Sequence, residues 1–234
     1  MIYLTGDTHI PIDISKLNTT NFPEQKQMTR EDYVIVLGDF GLLWHDDKEY
    51  RHWLKWLTEK PFTLLWVDGN HENHDWIQSL PVESWQGGNV HRIADNILHL
   101  MRGQIFSIEG HYFFTLGGAA STDKAFRKPH VSWWEGEVPT AKEGMDALET
   151  LQRFHATRNT VDYVLTHTCP REIIPQMFPG MNGTNDPTTA LLDAVSHEVV
   201  DEMTGWYFGH FHESKTHWKF HCLYNKIVSL NESF

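Results

Sequence analysis

Short hydrophobic runs, separated by polar or helical segments, make up the first third of the chain. The runs Ile2–Leu4, Val34–Leu37 and Leu64–Val67 are three or four residues long and predict strands. Between the second and third runs, apolar residues at helical spacing predict an amphipathic helix over Asp47–Leu57. Strands that alternate with helices predict a sheet with parallel neighbours and right-handed crossovers.

The pattern changes in the middle of the chain, where polar segments become shorter. β-rich runs at Asn96–Met101, Gln104–Ile108 and His111–Leu116 are separated by Arg102-Gly103 and Glu109-Gly110. Such glycine-containing breaks are typical of hairpins, so this region is predicted to be antiparallel.

A polar and aromatic loop over Gly117–Pro139 precedes the last third of the chain, which again mixes helices with strands. Helical spacing predicts two helices, Thr140–Thr157 and Pro187–Met203. Short apolar runs predict strands at Val161–Leu165, Trp206–Phe208, Thr216–Leu223 and Lys226–Leu230. We expect a single α/β domain over residues 1–234, with two sheets and helices outside them.

Composition narrows the class of protein to which this chain can belong. The chain has 234 residues, of which 40% are hydrophobic and 21% charged, as in ordinary globular proteins. No apolar run approaches the roughly 18 residues of a membrane span, and the first residues lack the layout of a secretory signal. We therefore expect no membrane partner and a cytoplasmic location.

The net charge of −12, with only 19 Lys and Arg residues and no basic tract, argues against binding of extended nucleic acid. It does not exclude phosphate chemistry, because two divalent cations would add four positive charges where an anion binds. Cys169 and Cys222 are the only cysteines and are expected to be reduced and structural.

Asp, Asn and His residues follow one predicted strand after another. They are Asp7 and His9, Asp39, Asn70 and His71, His167, and finally His210 and His212. Because the carboxyl ends of parallel strands meet at one edge, and strand side chains two residues apart point the same way, these groups predict one metal-binding cluster. Oxygen and imidazole ligands without thiolate favour manganese or iron, with zinc, nickel or magnesium as alternatives. Taken singly, each residue would more often cap a helix or satisfy a loop amide.

The ordered motifs also resemble a known family. The series is Gly6-Asp7-Thr8-His9, Gly38-Asp39, Gly69-Asn70-His71-Glu72, His167 and Gly209-His210-Phe211-His212. It is similar to the calcineurin-like metallophosphoesterases, especially their small bacterial and phage-type members, over nearly the whole chain. The resemblance implies a four-layer αββα sandwich of two mixed β-sheets flanked by helices.

The resemblance further implies a dinuclear metal centre and a role for each motif. Asp39 would bridge the two ions; one ion would also bind Asp7, His9 and His212, and the other Asn70, His167 and His210. A bridging carboxylate holds two cations about 3.5–4 Å apart, and a water between them becomes hydroxide near neutral pH. That hydroxide would attack a phosphate mono- or diester, while His71 would assist the leaving group.

Several points stay open at the level of sequence. The substrate is expected to be a small phosphorylated molecule, with nuclease or cyclic-nucleotide phosphodiesterase activity, or a non-catalytic metal-binding scaffold, as alternatives. Lys124 and Arg127, in a segment that also looks like part of small family members, would bind phosphate or lie on a solvated turn. The oligomeric state is not indicated.

Two further features leave alternatives. Trp133 and Trp134 would stack on a nucleobase or, more commonly, pack the loop against the body. In the protein-phosphatase branch of the family, an Asp three residues after the bridging Asp orients the acid His, but Leu42 occupies that position here. Another acidic residue would then substitute, or none would; the candidates are Asp46, Asp47 and Asp68.

Overall fold

The computed structural model describes residues 1–230 as two mixed β-sheets with helices on their outer faces. The predicted single domain extends to residue 234, so its last four residues lie outside the described part. The first sheet contains β1 (Ile2–Thr5), β2 (Tyr33–Leu37), β3 (Thr63–Val67), β4 (Val82–Trp85), β5 (Gly88–Ala94), β6 (Ile97–Leu100) and β13 (Val228–Ser229). The second contains β7 (Gln104–Ile108), β8 (His111–Leu116), β9 (Tyr163–Thr166), β10 (Gly205–Phe208), β11 (Lys215–His217) and β12 (Phe220–Cys222). The helices are α1 (Lys48–Thr58), α2 (His74–Ser79), α3 (Ala141–Ala156), α4 (Ile174–Met177) and α5 (Pro187–Val199).

Each sheet has a parallel centre. The first sheet runs in the order β13-β1-β2-β3-β6-β5-β4, and β1, β2, β3 and β6 are parallel neighbours. The second runs β11-β12-β10-β9-β8-β7, and β8, β9, β10 and β12 are parallel. The loops that follow the central strands of both sheets therefore meet at a common edge of the molecule.

The alternation of side chains along the central strands explains the layers. Val34 and Val36 of β2 pack with α1 in an outer core, whereas Ile35 and Leu37 face the core between the sheets. On the far side, residues of β8 to β10 pack against α3 and α5 in a third core. Helices, sheet, sheet and helices thus form four layers, which confirms the predicted αββα sandwich.

The predicted helices begin and end close to the expected residues. The Asp47 side chain caps α1 by accepting the backbone N–H groups of Glu49 and Tyr50. Thr140 and Glu143 form a reciprocal capping box at the start of α3. Helix α5 ends at Val199, four residues earlier than predicted.

Two local predictions were wrong. The break at Arg102-Gly103 is a crossing between sheets and not a hairpin, since β6 belongs to the first sheet and β7 to the second. Arg102 turns inward at this crossing and donates to the buried Asp68 carboxylate. The run predicted as one strand at Thr216–Leu223 is a hairpin of β11 and β12, which turns at Trp218 with a φ of 52°.

Candidate metal centre

The seven predicted metal ligands lie together at the edge where the central strands end. Most of them stand on left-handed backbone just beyond a strand. Positive φ angles occur at Asp7 (25°), His9 (34°), Asp39 (48°), His210 (69°) and His212 (51°). This conformation is uncommon for residues other than glycine and concentrates at functional sites. The side chains therefore converge through tightly wound loops, and not through strand alternation as the sequence suggested.

Glycines beside the ligands allow the loops to approach one another. Gly38 has a φ of 85°, and a Cβ atom there would lie 2.1 Å from Nδ1 of His167. A Cβ atom on Gly69 would lie 2.1 Å from Oδ1 of Asp39. The Gly-Asp and Gly-Asn-His motifs thus contain glycine because another candidate ligand occupies the space of the side chain.

The first half of the centre is the cluster of Asp7, His9, Asp39 and His212. One ligand atom from each lies within 4.8 Å of the others. His9 Nε2 is 3.3 Å from Oδ2 of Asp39, while its Nδ1 lies 3.0 Å from Oδ2 of Asp13. A carboxylate only accepts, so the contact with Asp13 places a hydrogen on Nδ1, as is common for metal-binding histidines. Nε2 faces the Asp39 carboxylate, where either a proton or a cation would separate the two acceptors.

The second half contains Asn70, His167 and His210. His167 Nδ1 is 2.8 Å from the Leu37 carbonyl oxygen, which can only accept, so Nδ1 carries a hydrogen. Its Nε2 lies 3.1 Å from Oδ1 of Asn70 and 3.3 Å from Oδ1 of Asp39. The His210 ring centroid is 5.0 Å from that of His167. The Asn70 amide oxygen and the Asp39 carboxylate, which both accept, thus converge on Nε2 of His167, and a proton on that nitrogen or a cation between the groups stabilises the arrangement.

Burial and mutual charge shift the pKa values of these groups strongly. Burial raises the pKa of the Asp7 carboxyl to about 7, against the opposing effect of His167. Burial would also raise the pKa of Asp39, but the charges and hydrogen bonds of His167 and His9 hold it well below its usual value. Burial by itself would lower the pKa of His167, which the Asp39 and Asp7 carboxylates raise to about 10. The centre attracts positive charge.

The chemistry of the donors fits divalent cations of the manganese, iron, zinc, nickel and magnesium group. Every donor is a carboxylate, an amide oxygen or an imidazole nitrogen. The nearby thiol of Cys222 is buried and donates to the Gly209 carbonyl oxygen at 3.4 Å, and burial raises its pKa above the ordinary range. Asp39 contacts both halves, since its Oδ2 faces His9 and its Oδ1 faces His167.

A model of the calcineurin-like phosphoesterases matches residues 1–214 of the chain. The chain belongs to this family. Members depend on two metal ions, and this protein is accordingly a metal-dependent phosphoesterase, a hydrolase. No curated protein matches it. A similar solved structure is phosphopantetheinyl hydrolase from Mycobacterium tuberculosis, with 16% identity, coverage of 95% of this chain and 89% of that chain, and a TM-score of 0.41.

His71 of this phosphoesterase stands beside the shared carboxylate. Its backbone N–H donates to Oδ1 of Asp39 at 2.7 Å, and its ring centroid is 5.7 Å from that of His9. Arg127 Nη2 lies 3.3 Å from Nε2 of His71; a guanidinium only donates, so Nε2 accepts here. Burial, together with the nearby Arg127 charge, lowers the pKa of His71.

Of the two cations predicted to bind phosphate, the structure brings Arg127 to the centre. The guanidinium is held from behind by the Asp123 carboxylate at 2.7 Å and the Ser132 carbonyl at 3.1 Å. The Lys124 ammonium instead lies over the Trp133 ring, 4.1 Å from its centroid. Trp134 is buried edge-on against Trp44, with the ring centroids 4.9 Å apart, which favours the packing role over base stacking.

The three acidic residues considered as partners of His71 have other contacts. Asp47 caps α1, and Asp46 pairs with Arg51 at 3.0 Å. Asp68 accepts from His99 and Arg102 in a buried network. Within residues 1–230, none of them is bonded to His71.

Sequence reasoning missed a set of residues that contact the ligands from outside. They are Asp13 behind His9, Tyr224 stacked on His212 at 4.7 Å between ring centroids, and Ser121 with Glu137 behind Asn70. Asp13 follows His9 by four residues and carried a weak local signal, whereas the others are far from their partners in sequence.

Within residues 1–230, no helix is long and apolar enough to cross a membrane.

Proposed function

We propose that this phosphoesterase hydrolyses small phosphate mono- or diesters at the candidate metal centre. Asp7, His9 and His212 would hold one ion and Asn70, His167 and His210 the other, with Asp39 shared. Two bound cations, manganese or iron in first place, would neutralise charge on the phosphoryl oxygens and lower the pKa of water. The supporting observation is the position of His71. Its backbone N–H donates to the Asp39 carboxylate, and its ring nitrogen Nε2 accepts from the Arg127 guanidinium.

Arg127 is proposed to bind the phosphoryl group. Its side chain is half-buried and oriented by Asp123 and Ser132, so little conformational freedom is lost when a substrate binds. The Nη2 group that faces His71 is a charge-assisted donor, and phosphate oxygens are stronger acceptors than a neutral imidazole. We expect Arg127 to turn this donor from His71 to the substrate.

That exchange would release Nε2 of His71 for the leaving group. With the guanidinium neutralised by phosphate, the imidazolium is no longer disfavoured by an adjacent positive charge. A proton held at Nε2 would then pass to the oxygen that leaves. The backbone hydrogen bond to Asp39 keeps the imidazole next to the centre during this step.

The surface favours small substrates. The net charge is −12, and the cation in contact with His71 is Arg127, which suits one phosphoryl group better than a polyanionic strand. Nucleotides, cyclic nucleotides and phosphoproteins stay open as substrates.

Activity of metal-depleted protein reloaded with Mn, Fe, Ni, Zn or Mg, on chromogenic phosphate mono- and diesters, tests this function. We expect turnover with at least one metal, and a preference between the two esters that sorts the substrate classes. His71→Ala should lower kcat by about 10²–10⁴-fold while both ions are retained. The matched control is His197→Ala, whose side chain is 70% exposed on α5.

The outcomes separate cleanly. Absence of turnover on both esters with every metal would favour a metal-binding scaffold over the proposed reaction. Full activity of His71→Ala would show that the leaving group needs no help from this imidazole.

A further inference from the structure

The Asn70 carboxamide is held from outside by the loop over residues 117–139. Its Nδ2 donates to Oγ of Ser121 at 3.2 Å, across 51 positions of sequence. The Ser121 hydroxyl in turn donates to Oε2 of Glu137 at 2.6 Å, and the Ser121 backbone N–H donates to Oε1 at 3.0 Å. Glu137 is only 2% exposed and Ser121 only 8%, so bulk water does not replace these bonds.

The directions of these hydrogen bonds follow from the groups themselves. A backbone N–H only donates and a carboxylate only accepts, so Glu137 takes the single hydroxyl hydrogen of Ser121. Ser121 Oγ is then left with lone pairs and accepts from the next group. The neighbouring amide must therefore turn its nitrogen to Ser121 and its Oδ1 toward Nε2 of His167, 3.1 Å away.

This orientation matters because only one end of a carboxamide binds a divalent cation. The oxygen of Asn70 is a hard ligand, whereas the amide nitrogen carries two hydrogens and has no available lone pair. A flipped side chain would direct N–H groups at the second ion. We propose that Glu137 and Ser121 are positioning residues that present Oδ1 of Asn70 to the second metal ion; this rests on the dinuclear centre of the proposed function.

The loop that carries these residues is itself fastened to the first sheet next to Asn70. Arg102 Nη2 donates to the Gly136 carbonyl at 2.8 Å and also binds the Asp68 carboxylate. The Gly118 N–H donates to the Asp68 carbonyl at 2.8 Å. Both sides of the loop are thus connected to Asp68, two residues before Asn70. This connection holds the loop close to Asn70, where the hydrogen-bond relay from Glu137 through Ser121 to Asn70 acts.

Glu137→Gln tests the relay because it keeps the size of the side chain but reverses its hydrogen bonds. The new amide would accept the Ser121 N–H and donate to Oγ, so that the hydroxyl hydrogen turns to Asn70 and favours the flipped carboxamide. We expect the affinity of the second site for Mn²⁺ to fall by about 10–100-fold, as is usual for outer-shell changes. The first site should keep its affinity.

Titration calorimetry with Mn²⁺ on the metal-depleted full chain measures both sites. Electron paramagnetic resonance distinguishes a spin-coupled Mn²⁺ pair from a single ion, a signature that a purely structural role of Glu137 would leave in place. The matched control is Glu135→Gln, an exposed glutamate in the same loop, which should bind the pair like the parent protein.

A rescue makes the test specific to orientation. Asn70→Asp places an oxygen at both ends of the side chain, so in the Glu137→Gln background one oxygen accepts the Ser121 hydroxyl and the other binds the ion. This double variant should recover the coupled Mn²⁺ spectrum. Ser121→Thr should bind as the parent does, and Ser121→Ala should lose the second ion as Glu137→Gln does.

The results distinguish failure of this inference from failure of the proposed function. A parent protein that never forms a Mn²⁺ pair would contradict the dinuclear centre itself. A parent that binds the pair, with Glu137→Gln and Ser121→Ala binding it equally tightly, would refute the positioning role alone. The same refutation follows if Glu137→Gln weakens the second site but Asn70→Asp fails to restore it.

Discussion

The two halves of the metal centre are built in different ways. His9 in the first half is oriented by Asp13, four residues away, and His212 is exposed beside Tyr224. In the second half, His167 is fully buried and oriented by the Leu37 carbonyl, 130 positions away. His9 is thus oriented by a residue close in sequence and His212 is open to solvent, whereas His167 is buried and oriented only by the tertiary fold.

The largest effect is expected where the two halves meet. Asp39→Asn removes the carboxylate that both halves share and leaves an amide N–H facing His9 or His167. We expect kcat/KM to fall by about 10³-fold or more, because several kcal/mol of transition-state stabilisation depend on both ions. Assays on the better of the two chromogenic esters measure this.

Asp46→Asn is the control for that experiment, since Asp46 is exposed and paired with Arg51. An Asp39→Asn protein that still bound two ions with near-normal activity would show that the two halves do not depend on a common carboxylate.

The first half should fail separately from the second. Asp13→Ala removes the acceptor of the His9 Nδ1 hydrogen. It should lower the affinity for the first ion by about 10–100-fold, while the affinity for the second ion is unchanged. Asp13→Asn retains an acceptor oxygen and should be milder. Calorimetric Mn²⁺ titrations should show that Asp13→Ala weakens binding of the first ion and Glu137→Gln binding of the second. If both variants weakened the same ion, the two halves would not be supported separately.

The loop that supports the second half also supplies the cation for substrate. Arg127→Lys keeps the charge but loses the planar pair of donors, and we expect KM to rise by about tenfold, since one charge-assisted hydrogen bond is worth about 1.5–3 kcal/mol. Lys124→Arg is the control, because Lys124 lies over Trp133. Equal KM values for the parent and Arg127→Lys would contradict direct phosphate binding.

The smallest effect concerns the packing behind the second half. Burial lowers the pKa of His91 from 6.5 to about 4, and its Nδ1 lies 3.1 Å from Nδ1 of His99. Between pH 6.5 and about 4 the unfolded chain binds more protons at this position, so the free energy of unfolding should decrease as the pH falls through that range.

His91→Gln supplies a neutral donor at every pH and should make the dependence shallower. Urea unfolding of the metal-depleted protein at several pH values between 7.5 and 4 measures the slopes. Identical slopes for parent and variant would exclude His91 as a source of the acid sensitivity.

Much of the fold could be predicted because local patterns decide it. Alternation in Val34–Leu37 and Leu64–Val67 places each strand between two cores, and the caps Asp47 and Thr140 mark where helices begin. The crossing at Arg102-Gly103 could not be predicted, because a glycine turn is equally compatible with a hairpin and with a change of sheet. In the structure, Arg102 at this crossing pairs with the distant Asp68 carboxylate, a contact that no local pattern announces.

The sequence by itself determined which residue types gather at the strand ends, because their order along the chain and their adjacent glycines are local properties. Only the tertiary structure decided how those residues are oriented. Left-handed backbone at Asp7 and Asp39 turns the carboxylates inward, and the relay of Ser121 and Glu137 sets the direction of the Asn70 amide. Orientation depends on hydrogen-bond partners that are far apart in sequence, and such partners leave no periodic trace along the chain.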